Sequence, residues 1–206
     1  MHRWRWVQSL GWVVSLWLVL VTWDVSAAPN APGTPVKREA CPRASKTTFL
    51  GNTAYVKWLL PAINRARQEI VIGMFQFVVG PEAFNPANQV AKALIAAAQR
   101  GVRVSVILDQ PPEGDSPQAP NHQVATELRQ QGLTVQFDAP DRMTHTKLVV
   151  IDRRYVFIGS HNFTQSALRY NYEVSVRIDS PRLARQSLAY LEQIQTSRPS
   201  PGGPTR

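Results

Sequence analysis

Residues 69–78 form a β-rich apolar run (Ile70, Val71, Ile72, Met74, Phe75, Phe77) with no polar face to present to water. A run of this kind is a strand buried on both sides, which requires helices over both faces of its sheet. The neighbouring segments supply them. Residues 88–100 have amphipathic helical spacing and stop at Gly101, and residues 102–108 return as a second buried strand. Residues 121–131 repeat the helix with Gly132 as its stop, followed by a short strand at 133–137. Upstream, residues 53–68 carry the helical series Tyr55, Leu59, Ile63 and Ala66, with Asn52 or Thr53 as cap and Pro61 bending the helix. Downstream the strands cluster at 145–151, 155–158 and 172–178, before a last helix at 181–193 with Ser180 as cap and Pro181 at its first position. Alternation first and hairpins later predict an α/β fold: a mixed β-sheet flanked by helices.

The two ends of the chain read differently from this centre. His2, Arg3 and Arg5 precede an apolar run from Trp6 to Trp23 and the small residues Ser26, Ala27 and Ala28, so residues 1–28 are expected to be a signal peptide or a retained signal anchor. Five of the six tryptophans lie there, as interfacial anchors of a membrane helix would. Either form exports the rest of the chain to the periplasm or beyond. Residues 29–46 read as a linker, residues 47–195 as one catalytic domain, and residues 196–206 as a disordered tail. Cys41 is the single cysteine, which excludes an intramolecular disulfide and any cysteine-based metal site.

Chemistry concentrates between residues 145 and 173. Side chains alternate along a strand, so His145 and Lys147 share a face near the start of theirs, while Asp152 has the opposite parity and falls in a turn, a structural position. The returning strand delivers Gly159, Ser160 and Asn162 to one end of the sheet: Gly159 lets the chain turn, and Ser160 and Asn162 offer donors. A neutral imidazole can attack phosphorus, and Lys147 and Asn162 can stabilise charge on the non-bridging oxygens. That is phosphoryl transfer without a metal or cofactor. No His-Glu-x-x-His pair is present, and Ser160 lacks the Gly-x-Ser-x-Gly elbow of serine hydrolases.

His145-x-Lys147-x4-Asp152-x6-Gly159-Ser160-x-Asn162 resembles the signature of the phospholipase D superfamily, and the order of elements resembles its small single-motif bacterial endonucleases and, more distantly, mitochondrial cardiolipin hydrolase. The resemblance implies a phospholipase D-like fold, a phosphohistidine formed on the motif histidine, and a second motif's histidine that protonates the leaving oxygen. Carried onto this chain it makes His145 nucleophile or acid, Lys147 and Asn162 phosphate-binding, Ser160 an auxiliary and Glu173 the carboxylate that orients the histidine, with Asp152 and Gly159 structural. One motif supplies one histidine where the reaction uses two. A homodimer with its two-fold axis through the site provides the second.

Lys and Arg outnumber Asp and Glu by 23 to 14, which favours an anionic partner. A nuclease is the leading expectation. A phospholipase D acting on anionic phospholipid is the alternative, supported by the leader and by exposure of Phe75, Phe77, Val78, Val79 and Phe84 near a bilayer; a non-catalytic nucleic-acid-binding module is a third. His161, at the variable position of the motif, is expected to play no part. Asp109, ending a buried strand, is read as a turn cap or a ligand residue, and the proline-rich segment from Gln110 to Asn121 as a lip over the site.

Overall fold

The computed structural model describes residues 45–82, 84–110, 119–139 and 142–196. The leader, most of the linker with Cys41, residues 111–118 of the proposed lip and the tail beyond residue 196 lie outside the described residues.

Seven strands form one mixed sheet. In chain order the elements are β1 (Lys46–Gly51), α1 (Ala54–Arg65), β2 (Glu69–Met74), α2 (Pro86–Gln99), β3 (Arg103–Leu108), α3 (Pro120–Gln130), β4 (Thr134–Phe137), β5 (Lys147–Ile151), β6 (Tyr155–Gly159), α4 (Gln165–Arg169), β7 (Val174–Asp179) and α5 (Pro181–Thr196). The sheet order is β1-β7-β6-β5-β2-β3-β4. Strands β2, β3 and β4 are parallel, joined through α2 and α3, and the remaining pairings are antiparallel. The helical stops behave as the glycines foretold: Gly101 and Gly132 both have positive φ, at 87° and 83°. Asn85 caps α2 by accepting from the Ala87 N–H at 2.9 Å, and Ser180 accepts from Leu183 at the start of α5.

Strands β2, β5 and β6 divide their residues between two cores. Ile70, Ile72 and Met74 of β2, Val149 and Ile151 of β5 and Phe157 of β6 pack with α1, α2, α3 and α4 on one face. Leu148, Val150 and Val156 pack with Ile107 under α5 on the other. Burying each such side chain contributes about 1.5–3 kcal/mol. Helix α5 covers only part of its face, leaving Phe49, Ile158 and Val174 exposed on the same side as Leu148 through the cross-strand pairs Phe49↔Val176, Val176↔Ile158 and Ile158↔Leu148.

Several elements differ from the sequence expectation. Lys46, read as the last linker residue, opens the edge strand β1, whose Thr-Thr-Phe-Leu series is too short and too exposed to show periodicity. The five-residue α4 is likewise too short to carry a helical pattern. Neither Asn52 nor Thr53 caps α1 with its side chain; Asn52 takes φ of 50° and accepts the Glu173 N–H at 3.0 Å, tying the β1–α1 corner to the start of β7. Phe77, offered as a bilayer contact, is fully buried, whereas Phe84 is exposed.

Candidate active site

The C-terminal ends of β2 and β3, the start of β5, the end of β6 and the approach to β7 meet along one edge of the sheet. Ligand sites of open α/β sheets form outside the carboxyl ends of the parallel strands. His145, Lys147, Ser160 and Asn162 of the motif arrive at this edge.

His145 precedes β5 and is exposed, while Lys147, its first residue, is only 8% exposed. Both lie against Phe75: the imidazole and phenyl centroids are 4.4 Å apart, and the Lys147 ammonium sits 4.7 Å from the same ring centre. Lys147 Nζ also donates to the His145 carbonyl at 3.1 Å. Partial burial, and then the neighbouring Lys147 charge, hold the His145 imidazole below its ordinary value, so it is neutral near neutral pH. Burial lowers Lys147 as well, opposed by the Glu173 and Asp109 carboxylates.

Strand β6 ends at Gly159, where an added Cβ would come within 2.3 Å of the Val174 carbonyl, so no side chain fits between the strands there. Ser160 follows, donating to the Glu173 carboxylate and accepting the Val174 N–H at 3.0 Å. The other Glu173 oxygen accepts from Asn171 at 3.2 Å. The Glu173 carboxylate thus bonds to Ser160 and Asn171, and it acts on the basic pair through its field on Lys147. Asn162 donates to Gln76 at 3.4 Å, and its Oδ1 is buried without a hydrogen-bond partner. An unmet amide oxygen costs about 1–3 kcal/mol.

Two further residues position this edge: Asn121, which the sequence did not single out, and Asp109, which it offered as a turn cap or ligand residue. Asn121 is fully buried at the start of α3; its amide donates to the carbonyls of Phe75 at 2.9 Å and Asp109 at 3.0 Å and accepts the Phe77 N–H at 2.9 Å. It clamps the exits of β2 and β3 together. Asp109, also fully buried, accepts the Thr144 N–H at 2.7 Å and so anchors the segment that presents His145. Asp109 is therefore a cap across 35 residues rather than a local turn cap. No local pattern announces such contacts, because both partners are distant in sequence.

Two motif residues face elsewhere. Asp152 lies at the opposite end of β5, accepting the backbone N–H groups of Arg67, Gln68 and Glu69 at 2.8–3.2 Å. His161 is fully buried, stacked on Tyr55 at 4.4 Å and 9°, with Nδ1 2.7 Å from the Ser175 hydroxyl and Nε2 donating to the Asn52 carbonyl at 3.0 Å. It joins the β1–α1 corner to β7. Among the described residues no cluster of three or more His, Cys, Asp or Glu is placed to hold a metal ion.

The model of the cardiolipin synthase PLD-like domain matches residues 59–195, which contain the whole edge described above. The chain belongs to the phospholipase D superfamily. Within the superfamily it is 33% identical over 121 residues to cardiolipin synthase A of Proteus mirabilis, covering 59% of this chain and 23% of that protein. It is 27% identical over 162 residues to a phospholipase D of Rickettsia typhi, covering 76% of this chain and 72% of that one. The phospholipase D family member Nuc from Salmonella typhimurium superposes with a TM-score of 0.61 at 26% identity, covering 73% of this chain and 94% of Nuc. The superfamily fold is thus the mixed, helix-flanked sheet expected from the sequence.

Proposed function

We propose that this protein is an exported, metal-independent phosphodiesterase that cleaves nucleic acid through a phosphohistidine on His145. The observation that carries the reading is the pairing of an exposed neutral imidazole with a buried ammonium against one phenyl ring, beside the Asn162 amide, whose N–H donates to Gln76 over a long 3.4 Å. The imidazole attacks phosphorus, forming the N–P bond as the P–O bond to the leaving group breaks. Lys147 and Asn162 donate to the non-bridging oxygens, where charge accumulates. Ser160, held by Glu173, orients the end of β6, and the Glu173 carboxylate opposes the lowering of Lys147 by burial. A protonated imidazole gives its proton to the leaving oxygen, then, now neutral, takes one from the water that hydrolyses the N–P bond.

That second imidazole is His145 of another copy. Beside His145 is a cavity of about 480 Å³ walled by Leu148, Ile158 and Tyr190, continuous with the face that α5 leaves bare. A two-fold pairing over this apolar face sets two His145 side chains around one phosphate, and the pair titrates as a unit.

Nucleic acid is favoured as substrate by the net charge of +9, which suits a polyanionic backbone. Lipid phosphodiester cleavage is the second reading, favoured by the apolar wall beside His145 and by the similarity to the Rickettsia typhi phospholipase D. The leader, cleaved or retained, would place the enzyme outside the cytoplasm; among the described residues no helix is long and apolar enough to cross a membrane.

The test sets the full chain and His145→Asn, in excess chelator, against plasmid DNA, RNA and phospholipid vesicles. Nucleic-acid cleavage lost in the variant supports the proposal. Head-group release alone transfers the enzyme to lipid substrates, and variant turnover at the parent rate removes His145 from the chemistry.

A further inference from the structure

At the opposite end of the sheet from His145 lies a cavity of about 690 Å³ between α1 and the β5–β6 turn. Its wall is cationic, with Lys57, Arg65, Arg67 and Arg177 around it, and aromatic, with Trp58 and Tyr155. Asp152 in this wall and Asp179 beside its Arg154 are both engaged. Asp152 accepts three backbone N–H groups, and Asp179 is held by Arg154 through two bonds of 2.7 and 2.9 Å, so the five cations Lys57, Arg65, Arg67, Arg154 and Arg177 outnumber these two acids. Asp179 also feels the charges of Arg177 and Lys46, but a single carboxylate shared this way leaves the wall positive. Among the described residues no ion pair joins Lys57, Arg65 or Arg67 to a carboxylate.

Arg177 is the organised element. Its guanidinium carbon lies 4.3 Å from the Tyr155 ring centre and 5.4 Å from that of Trp58, so two aromatic faces fix the planar fork while its N–H edge stays available. A guanidinium immobilised in advance loses little entropy on binding a phosphate bidentately. Trp58 is 46% exposed and adjoins these cations, offering a surface for a base.

We propose that this cavity is a second nucleic-acid site, which takes the backbone phosphates of a single strand on Lys57, Arg65, Arg67 and Arg177 and stacks a base on Trp58. The inference rests on the nuclease reading and adds to it an anchoring site remote from the chemistry. Four residues of β5 separate the two ends, roughly 13 Å along the strand at about 3.3 Å per residue. A strand held at both ends is retained between cleavage events. A concave pocket with an aromatic wall suits a flexible strand better than it suits the flat surface of a bilayer.

The test measures binding of a fluorescent oligothymidylate of about 20 nucleotides to full-chain His145→Asn, with and without Lys57→Gln/Arg65→Gln/Arg67→Gln, across a salt series. These three side chains are exposed, so their exchange leaves the fold intact. Affinity at 0.1 M salt is expected to fall by tenfold or more, and the slope of log K against log salt to lessen by about 2, at roughly 0.7 per lost contact. Trp58→Leu should weaken binding about fivefold or more. With His145 intact, the triple variant should turn over a small chromogenic phosphodiester at the parent rate. Unchanged oligonucleotide affinity overturns the second site and leaves the nuclease reading standing. Failure of the parent to bind oligonucleotide overturns both. A loss seen only with phosphatidylglycerol vesicles assigns the cavity to membranes and overturns the proposal.

Discussion

Replacing Asp152 by Ala separates a structural from a catalytic role for the motif aspartate. The carboxylate accepts three backbone N–H groups that follow α1, at 2.8–3.2 Å, and Asp152 itself sits at φ of 53° in a turn whose next residue, Arg153, has φ of 52°. Hydrogen bonds to an ionised group are worth about 1.5–3 kcal/mol, and water replaces part of that at this half-exposed site, leaving about 1–2 kcal/mol. Forcing a left-handed conformation on Ala, which lacks the local bonding that lets Asp adopt it, costs about 1–2 kcal/mol more. The expected loss is thus about 2–4 kcal/mol, or roughly 5–15 °C in Tm for a domain of this size. Asp152→Asn keeps the left-handed tolerance and one acceptor, so it should lose only about 1 kcal/mol. Urea and thermal unfolding give the stabilities; turnover of a small phosphodiester per folded molecule gives the chemistry. Both variants should hold their turnover, because Asp152 lies at the far end of β5 from Lys147. A stable Asp152→Asn protein with turnover reduced a hundredfold would refute the structural assignment.

Three other perturbations probe the site and its support. Glu173→Gln removes a carboxylate charge that holds Lys147 up against burial, so inorganic phosphate binding to the His145→Asn chain should be lost at a lower alkaline pH when Glu173→Gln is added, and an unchanged binding profile would deny the coupling. Burial keeps His161 below its ordinary value, so the folded chain binds fewer protons than the unfolded one as pH falls below about 6.5. Stability should therefore drop between pH 7.5 and 5.5, and less steeply in His161→Gln; equal urea-midpoint slopes would contradict this. Ile158→Glu places a charge on the bare face beside His145, and light scattering should show monomers with turnover lowered at least tenfold, whereas an active monomer would exclude the shared site.

Local rules set much of what is seen here. Gly101, Gly132, Asn85 and Pro181 mark helix ends because capping and positive φ depend on the residue itself, and the apolar runs at 69–78 and 102–108 mark central strands because burial on both faces leaves no polar alternation. The spacing from His145 to Asn162 likewise brought His145, Lys147, Ser160 and Asn162 to one edge, since a hairpin fixes the relation of its two strands. Tertiary structure alone decided what distant segments do to one another. Phe75 as the shared floor of His145 and Lys147, Asp109 anchoring Thr144, Asn121 clamping two strand exits and His161 bonded to Asn52 all join residues whose separation no local period encodes. The bare face beside α5 belongs with them, because which residues a helix fails to cover follows from its length and crossing over the sheet, quantities that exist only once the chain has folded.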